Sequence, residues 1–159
     1  MNDDEEGAVV LAEALTVRSD LAKRLEQLKA RLLRNAKVQK GDTPAEDPAQ
    51  MLEEFERNVG ELRSLIARIN ATNAATVIEG GLTMTQALAE RDMLRLCVAA
   101  YRDLAKEATI TQSRTTRSEV RFHPTVSVAD TQKKVDDYSK QLRLLEVKIQ
   151  KHNWNTELV

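Results

Sequence analysis

Histidine, cysteine and clustered carboxylates are where chemistry would have to start, and this chain supplies few of them. It has two histidines, His123 and His152, and one cysteine, Cys97. Di-metal helical proteins need inward-facing Glu together with Glu-x-x-His on facing helices; no Glu-x-x-His occurs here. His123 precedes a proline and His152 falls at a helix end, so neither is placed as a central ligand. One thiol cannot build a cysteine zinc site or an internal disulfide, and it fits a reducing compartment. Cys97 lies on an apolar helix face, which suits a buried inert thiol better than a low-pKa nucleophile. There is no Gly-x-Ser-x-Gly, no glycine-rich phosphate loop and no dinucleotide fingerprint. Asn70-Ala71-Thr72 matches a glycosylation acceptor but falls within a helical pattern, so the match is chance. No catalytic residue, metal or cofactor is expected.

Three other features invite a role. Arg18 and Glu90 interrupt otherwise apolar stripes, and an unpaired buried charge is strongly destabilising. They are therefore candidates, with Asp92, for inter-helix charge pairs that fix register; a solvated stripe edge is the alternative. Arg114, Arg117 and Arg121, followed by Phe122, form a candidate interaction strand. A charged edge strand guards against unwanted pairing more readily than it grips phosphate. Trp154, near the end of the sequence, is a candidate contact residue.

The elements that must position these residues are helices. Leu11, Ala14, Arg18, Leu21, Leu25, Leu28 and Leu32 recur at steps of three and four between about Val10 and Asn35. After Gly41, Pro44 and Pro48, Asp47-Pro48-Ala49-Gln50 reads as a helix start. The second stripe is Leu52, Phe55, Val59, Leu62, Ile66 and Ile69. Residues 76–84 read as two short extended stretches around Gly80-Gly81. Thr83-Met84-Thr85-Gln86 is a capping box opening a third helix to about Ala108, with Leu94, Cys97, Tyr101, Leu104 and Ala108 as its seam and Glu90 in phase. Residues 118–128 alternate with period two, which predicts an edge strand interrupted by Pro124 and able to pair with 76–84. Ser127 caps a fourth helix carrying Val128, Thr131, Val135, Tyr138, Leu142, Leu145 and Ile149, with His152 next. Residues 153–159 read as extended. The expected fold is mainly α: four long heptad-patterned antiparallel helices, as a bundle or as paired helical hairpins, with a small β element from the connections. Residues 1–8 are expected to be an acidic disordered leader and 9–159 a single helical domain.

Composition agrees with that class. Charged residues make up 31% of the chain and aromatics 3%, a mix typical of long helices rather than sandwiches or barrels. A net charge of −1 gives no overall field for nucleic acid or an anionic membrane. The acidic start, Asp3-Asp4-Glu5-Glu6, is unlike a secretory signal, and no run of apolar residues is long enough to span a bilayer. The expected location is cytoplasmic.

Several stretches resemble a small uncharacterised bacterial family often labelled septicolysin. They are Leu11-Ala12-Glu13-Ala14-Leu15 with Arg18 and Asp20, Asn35-Ala36-Lys37-Val38-Gln39 with Gly41-Asp42, and Glu46-Asp47-Pro48. Further matches are Arg68-Ile69-Asn70, Thr72-Asn73-Ala74-Ala75-Thr76, Ala87-Leu88-Ala89-Glu90-Arg91-Asp92, Thr116-Arg117-Ser118-Glu119-Val120 and Asn153-Trp154. The resemblance implies a helical protein of unknown role, and it carries no catalytic residues over. Taken together, the sequence points to a non-enzymatic helical interaction or assembly protein that forms a homo-oligomer, with no nucleic-acid partner. A membrane-acting, septicolysin-like pore former is the alternative, and the one reading that involves a membrane. An enzyme or ligand site formed between subunits is the third.

Overall fold

The computed structural model describes residues 8–110 and 122–159. Four helices succeed one another in chain order: α1 (Leu11–Arg34), α2 (Pro48–Ala75), α3 (Met84–Ala108) and α4 (Val128–Asn155). The described residues hold two isolated β-bridges and no sheet, so the fold is mainly α, as the stripes require. The chain divides into two compact units. One runs up to Thr76 and takes in His152–Val159; the other is Val77–Lys151.

Local chemistry sets the helix ends. Pro48 occupies the first helical position of α2, where its missing N–H is harmless, and the Asp47 carboxylate accepts from the Ala49 N–H at 2.9 Å. At the start of α3 the Thr83 hydroxyl accepts from the Gln86 N–H at 3.2 Å. The Gln86 side chain accepts in return from the Thr83 N–H at 2.9 Å, closing the expected box. Ser127 caps α4 by accepting from the Asp130 N–H at 3.2 Å.

In the first unit α2 packs along α1. Leu11, Ala14 and Leu28 are buried on α1, with Leu21, Leu25 and Leu32 half-buried in the same phase. Arg18 is exposed. On α2 the buried line is Met51, Asn58, Ile69 and Thr72, with Phe55, Leu62 and Leu65 half-buried between them. That line keeps the expected four-three alternation but runs one residue away from the expected stripe. Phe55, Leu62 and Ile69 belong to both; Leu52, Val59 and Ile66 stand outside. The displacement arises because Asn58 and Thr72, which are polar, occupy inward positions. Thr72 is satisfied there: its hydroxyl donates to the Arg68 carbonyl at 2.9 Å and accepts from the Val159 N–H at 3.1 Å. Asn58 is 4% exposed, and its Nδ2 has no hydrogen-bond partner among the described residues.

The α1–α2 connection is closed by side chains. The Arg31 Nε donates to both Glu46 carboxylate oxygens, at 3.0 and 3.2 Å, and its Nη2 donates to Oε1 as well. Asn35 accepts from the Glu46 N–H at 3.2 Å and donates to the Arg31 carbonyl at 3.0 Å. Hydrogen bonds from Arg31, aided by its positive charge, hold the Glu46 carboxyl below its usual pKa.

The C-terminal stretch corrects one expectation. Helix α4 continues through Asn155, with Asn153 of its last turn buried at 8% exposure. Residues 156–159 alone are extended. There the Leu11 N–H donates to the Thr156 carbonyl and the Leu158 N–H to the Val9 carbonyl, both at 2.8 Å. Arg68 Nε donates to the Val159 carbonyl at 2.8 Å. The end of the chain thus ties the start of α1 to the last turns of α2.

In the second unit α3 and α4 form an antiparallel hairpin. Tyr101 stacks against Tyr138 with ring centroids 5.5 Å apart, and Arg95 reaches Glu146 at 2.6 Å. The buried residues of α3 are Met84, Ala87, Leu94, Val98 and Ala105: Leu94 keeps its place in the expected seam, while Val98 and Ala105 lie one position from Cys97 and Leu104. Cys97 is half-buried and Leu104 exposed. Small Ala87 and Ala105 mark the inward line, and alanine carries little hydrophobic signal. On α4 the buried residues Thr131, Val135 and Ile149, with half-buried Tyr138, Leu142 and Leu145, keep the expected phase. The 76–84 stretch pairs with itself: Val77 bridges Thr83, and the Ile78 N–H donates to the Leu82 carbonyl at 2.8 Å. Gly80 and Gly81 turn it with φ of +107° and +85°, a region that disfavours other residues. Residues 122–127 form no strand, which Pro124 opposes by offering no N–H. The rest of the expected edge strand lies outside the described residues.

Glu46 and Asn58 can each be tested. Because Glu46 binds its proton less readily folded than unfolded, its contribution is present above the ordinary carboxylate pKa and lost as pH falls through the folded value. Glu46→Gln should therefore lower the melting temperature at about pH 7, and the difference from wild type should shrink as pH falls below the ordinary carboxylate range; a loss that does not change with pH would contradict the pairing. Replacing Asn58 by Leu removes an unpaired buried amide and should stabilise the fold by about 1 kcal/mol or more in urea unfolding. Destabilisation would show that the amide is satisfied.

Candidate interaction surfaces

Among the described residues no group of His, Cys, Asp and Glu is placed to hold a metal ion. No described helix is long and apolar enough to cross a membrane. A hollow of about 750 Å³ lies where α3 ends and α4 begins, with Leu104, Ile110, Phe122 and Pro124 in its wall. The stretch 111–121, between Ile110 and Phe122 in sequence, lies outside the described residues.

Of the described residues singled out from sequence, Arg18 and Trp154 fall in the first unit and Glu90, Asp92 and Phe122 in the second. Arg18, Glu90 and Asp92 are exposed, so none is the buried charge that its stripe implied. For Glu90 the cause is the shifted α3 seam: the inward line passes through Ala87 and half-buried Arg91 instead. Asp92 accepts from its neighbour Arg91 at 2.9 and 3.0 Å, a local pair rather than a link between helices. Arg114, Arg117 and Arg121 lie outside the described residues; Phe122 is 73% exposed. Trp154 is also exposed, in the last turn of α4.

Two surfaces emerge that the sequence did not single out. The first is the outer line of α2. Leu52, Val59 and Ile66 are 51%, 42% and 37% exposed, and their seven-residue spacing lays them along one side of the helix. Half-buried Phe55 and Leu62 continue the strip inward. Exposed Glu56 and Arg63 stand beside it, three residues before and four after Val59. Neither has an ion pair within the described residues. The periodicity of these residues was visible in the sequence; that they face out was not.

The second surface is a groove between α3 and α4, formed by two adjoining hollows of about 400 and 440 Å³. Arg95, Arg143 and Glu146 line both; Arg102 lies at one end and Arg91 at the other. Arg91, Arg95 and Arg102 share one flank of α3, next to its buried line. Only the α3–α4 register brings Arg143 to them, so sequence spacing could not reveal the cluster.

A crystal structure of a functionally unknown conserved protein from Corynebacterium diphtheriae is similar to this chain. It matches with 41% identity and a TM-score of 0.90, over 96% of this chain and 100% of that one. No curated protein matches. Neither the family model nor that structure carries a septicolysin label. The model matches residues 18–158, and the chain belongs to the family of unknown function DUF6847.

Proposed function

We propose that this chain is a non-enzymatic helical assembly module that self-associates through the outer line of α2. The observation that carries this reading is the exposure of Leu52, Val59 and Ile66 at heptad spacing on a helix whose inward line, from Met51 to Thr72, is a separate one. Water contact with such a strip is unfavourable by roughly 25 cal/mol per Å², which pairing with a like strip relieves. A second copy suits it better than an arbitrary helix. In an antiparallel pair centred near Val59, Leu52 of one chain meets Ile66 of the partner subunit. The same arrangement sets Glu56 beside Arg63 of the partner subunit, and by symmetry the reverse. A two-fold contact of this kind is self-complementary and closed.

Sedimentation equilibrium at micromolar concentration tests this. The expected outcome is a dimer that Val59→Glu converts to monomer, with unchanged helical circular dichroism because Val59 contributes little to the core. Charge reversal at Glu56 alone should weaken the dimer, and Glu56→Arg with Arg63→Glu should restore it. A monomer throughout the concentration range would overturn the reading.

A further inference from the structure

The α3–α4 groove points to a second binding surface, independent of the α2 strip. We infer that it docks an extended acidic peptide segment with alternating apolar residues, supplied by a protein partner.

Charge gives the sign of the occupant. Four guanidinium groups, from Arg91, Arg95, Arg102 and Arg143, edge the groove against the carboxylates of Glu146 and Asp92. Arg95 is held by Glu146 and Arg91 by Asp92. Arg102 and Arg143 have no ion pair among the described residues, and both are exposed. A positive surplus on the groove's edge favours an anion.

Spacing gives its form. Arg91 and Arg102 are separated by roughly 16 Å along α3 at about 1.5 Å per residue. A single small anion cannot bridge that separation, so the ligand is a chain of charges. Arg91 and Arg95 stand about one helical turn apart, roughly 6 Å. Acidic side chains on alternate residues of an extended peptide recur about every 6.6 Å, close to that interval. Arginine's planar fork also suits carboxylate pairing.

The floor distinguishes peptide from nucleic acid. Val98, Leu142 and Ile149 lie beneath the charged edge, and no aromatic side chain lines either hollow. Nucleobases would find no ring to stack on. The apolar residues of an alternating peptide would turn onto this floor while its acids face the arginines.

The probe is a fluorescein-labelled (Glu-Leu)4 peptide, monitored by anisotropy at low ionic strength against the full chain. Saturable binding is expected, weakened at least about tenfold by Arg102→Glu with Arg143→Glu and lowered by added salt. Arg24→Glu on α1, remote in sequence and outside the groove, should leave it unchanged. Circular dichroism checks that each variant is folded; Arg102 and Arg143 support no ion pair, so both should be. Absence of saturable binding would overturn the inference. So would an equal loss in Arg24→Glu, or displacement by oligo(dT) at lower concentration than by unlabelled peptide. The α2 variant Val59→Glu should bind the probe normally, so failure of this inference and failure of self-association are separately visible.

Discussion

The first unit depends on which side of α2 is pressed inward. Seven positions, from Met51 to Thr72, form the inward line, and three of them coincide with the line suggested by apolar residues alone. Turning the helix to bury Leu52, Val59 and Ile66 would bring Asn58 and Thr72 out toward water. The observed choice buries both polar residues. For Thr72 the reason is visible: its hydroxyl is held by Arg68 and Val159, which joins the end of the chain to α2. An inward amide at Asn58 has the character of a heptad-line asparagine, which sets register at a cost in stability. The apolar line left outside is the direct consequence of that orientation.

Much of this fold was legible in the sequence, for reasons that differ from helix to helix. In α1 and α4 large aliphatic residues coincide with the buried line, so the phase read from Leu21, Leu25 and Leu28, or from Val135, Leu142 and Ile149, is the phase observed. The ends were legible too, because Asp47, Thr83 and Ser127 each accept a bond from the backbone they precede. In α2 and α3 the inward line passes through polar or small residues, Asn58 and Thr72 in one, Ala87 and Ala105 in the other. Hydrophobicity then places the seam one residue away, and Glu90 is wrongly drawn into it. The groove was illegible for a different reason: Arg143 joins the α3 arginines only through the antiparallel register of the second unit.

Those two surfaces give the chain a character that its chemistry-bearing residues do not. No group of His, Cys, Asp and Glu among the described residues is placed to hold a metal ion. What the helices do present is a regular apolar line in one unit and a basic groove in the other. On the proposals above, the first meets a copy of the same chain and the second an acidic segment. Both support the proposal of a protein that brings chains together, within a family whose function has no assignment.

The orientation of α2 carries most of that account, and a cysteine scan addresses it most directly. On a Cys97→Ser background, single cysteines at positions 52, 59 and 66, and at Lys23 on the exposed side of α1, are oxidised at micromolar concentration. A rapid disulfide dimer at 59, joining two copies of the same position, with slow linkage at 23, is the predicted result. Equal, slow linkage at every position would mean that the outer line of α2 meets water rather than a second copy.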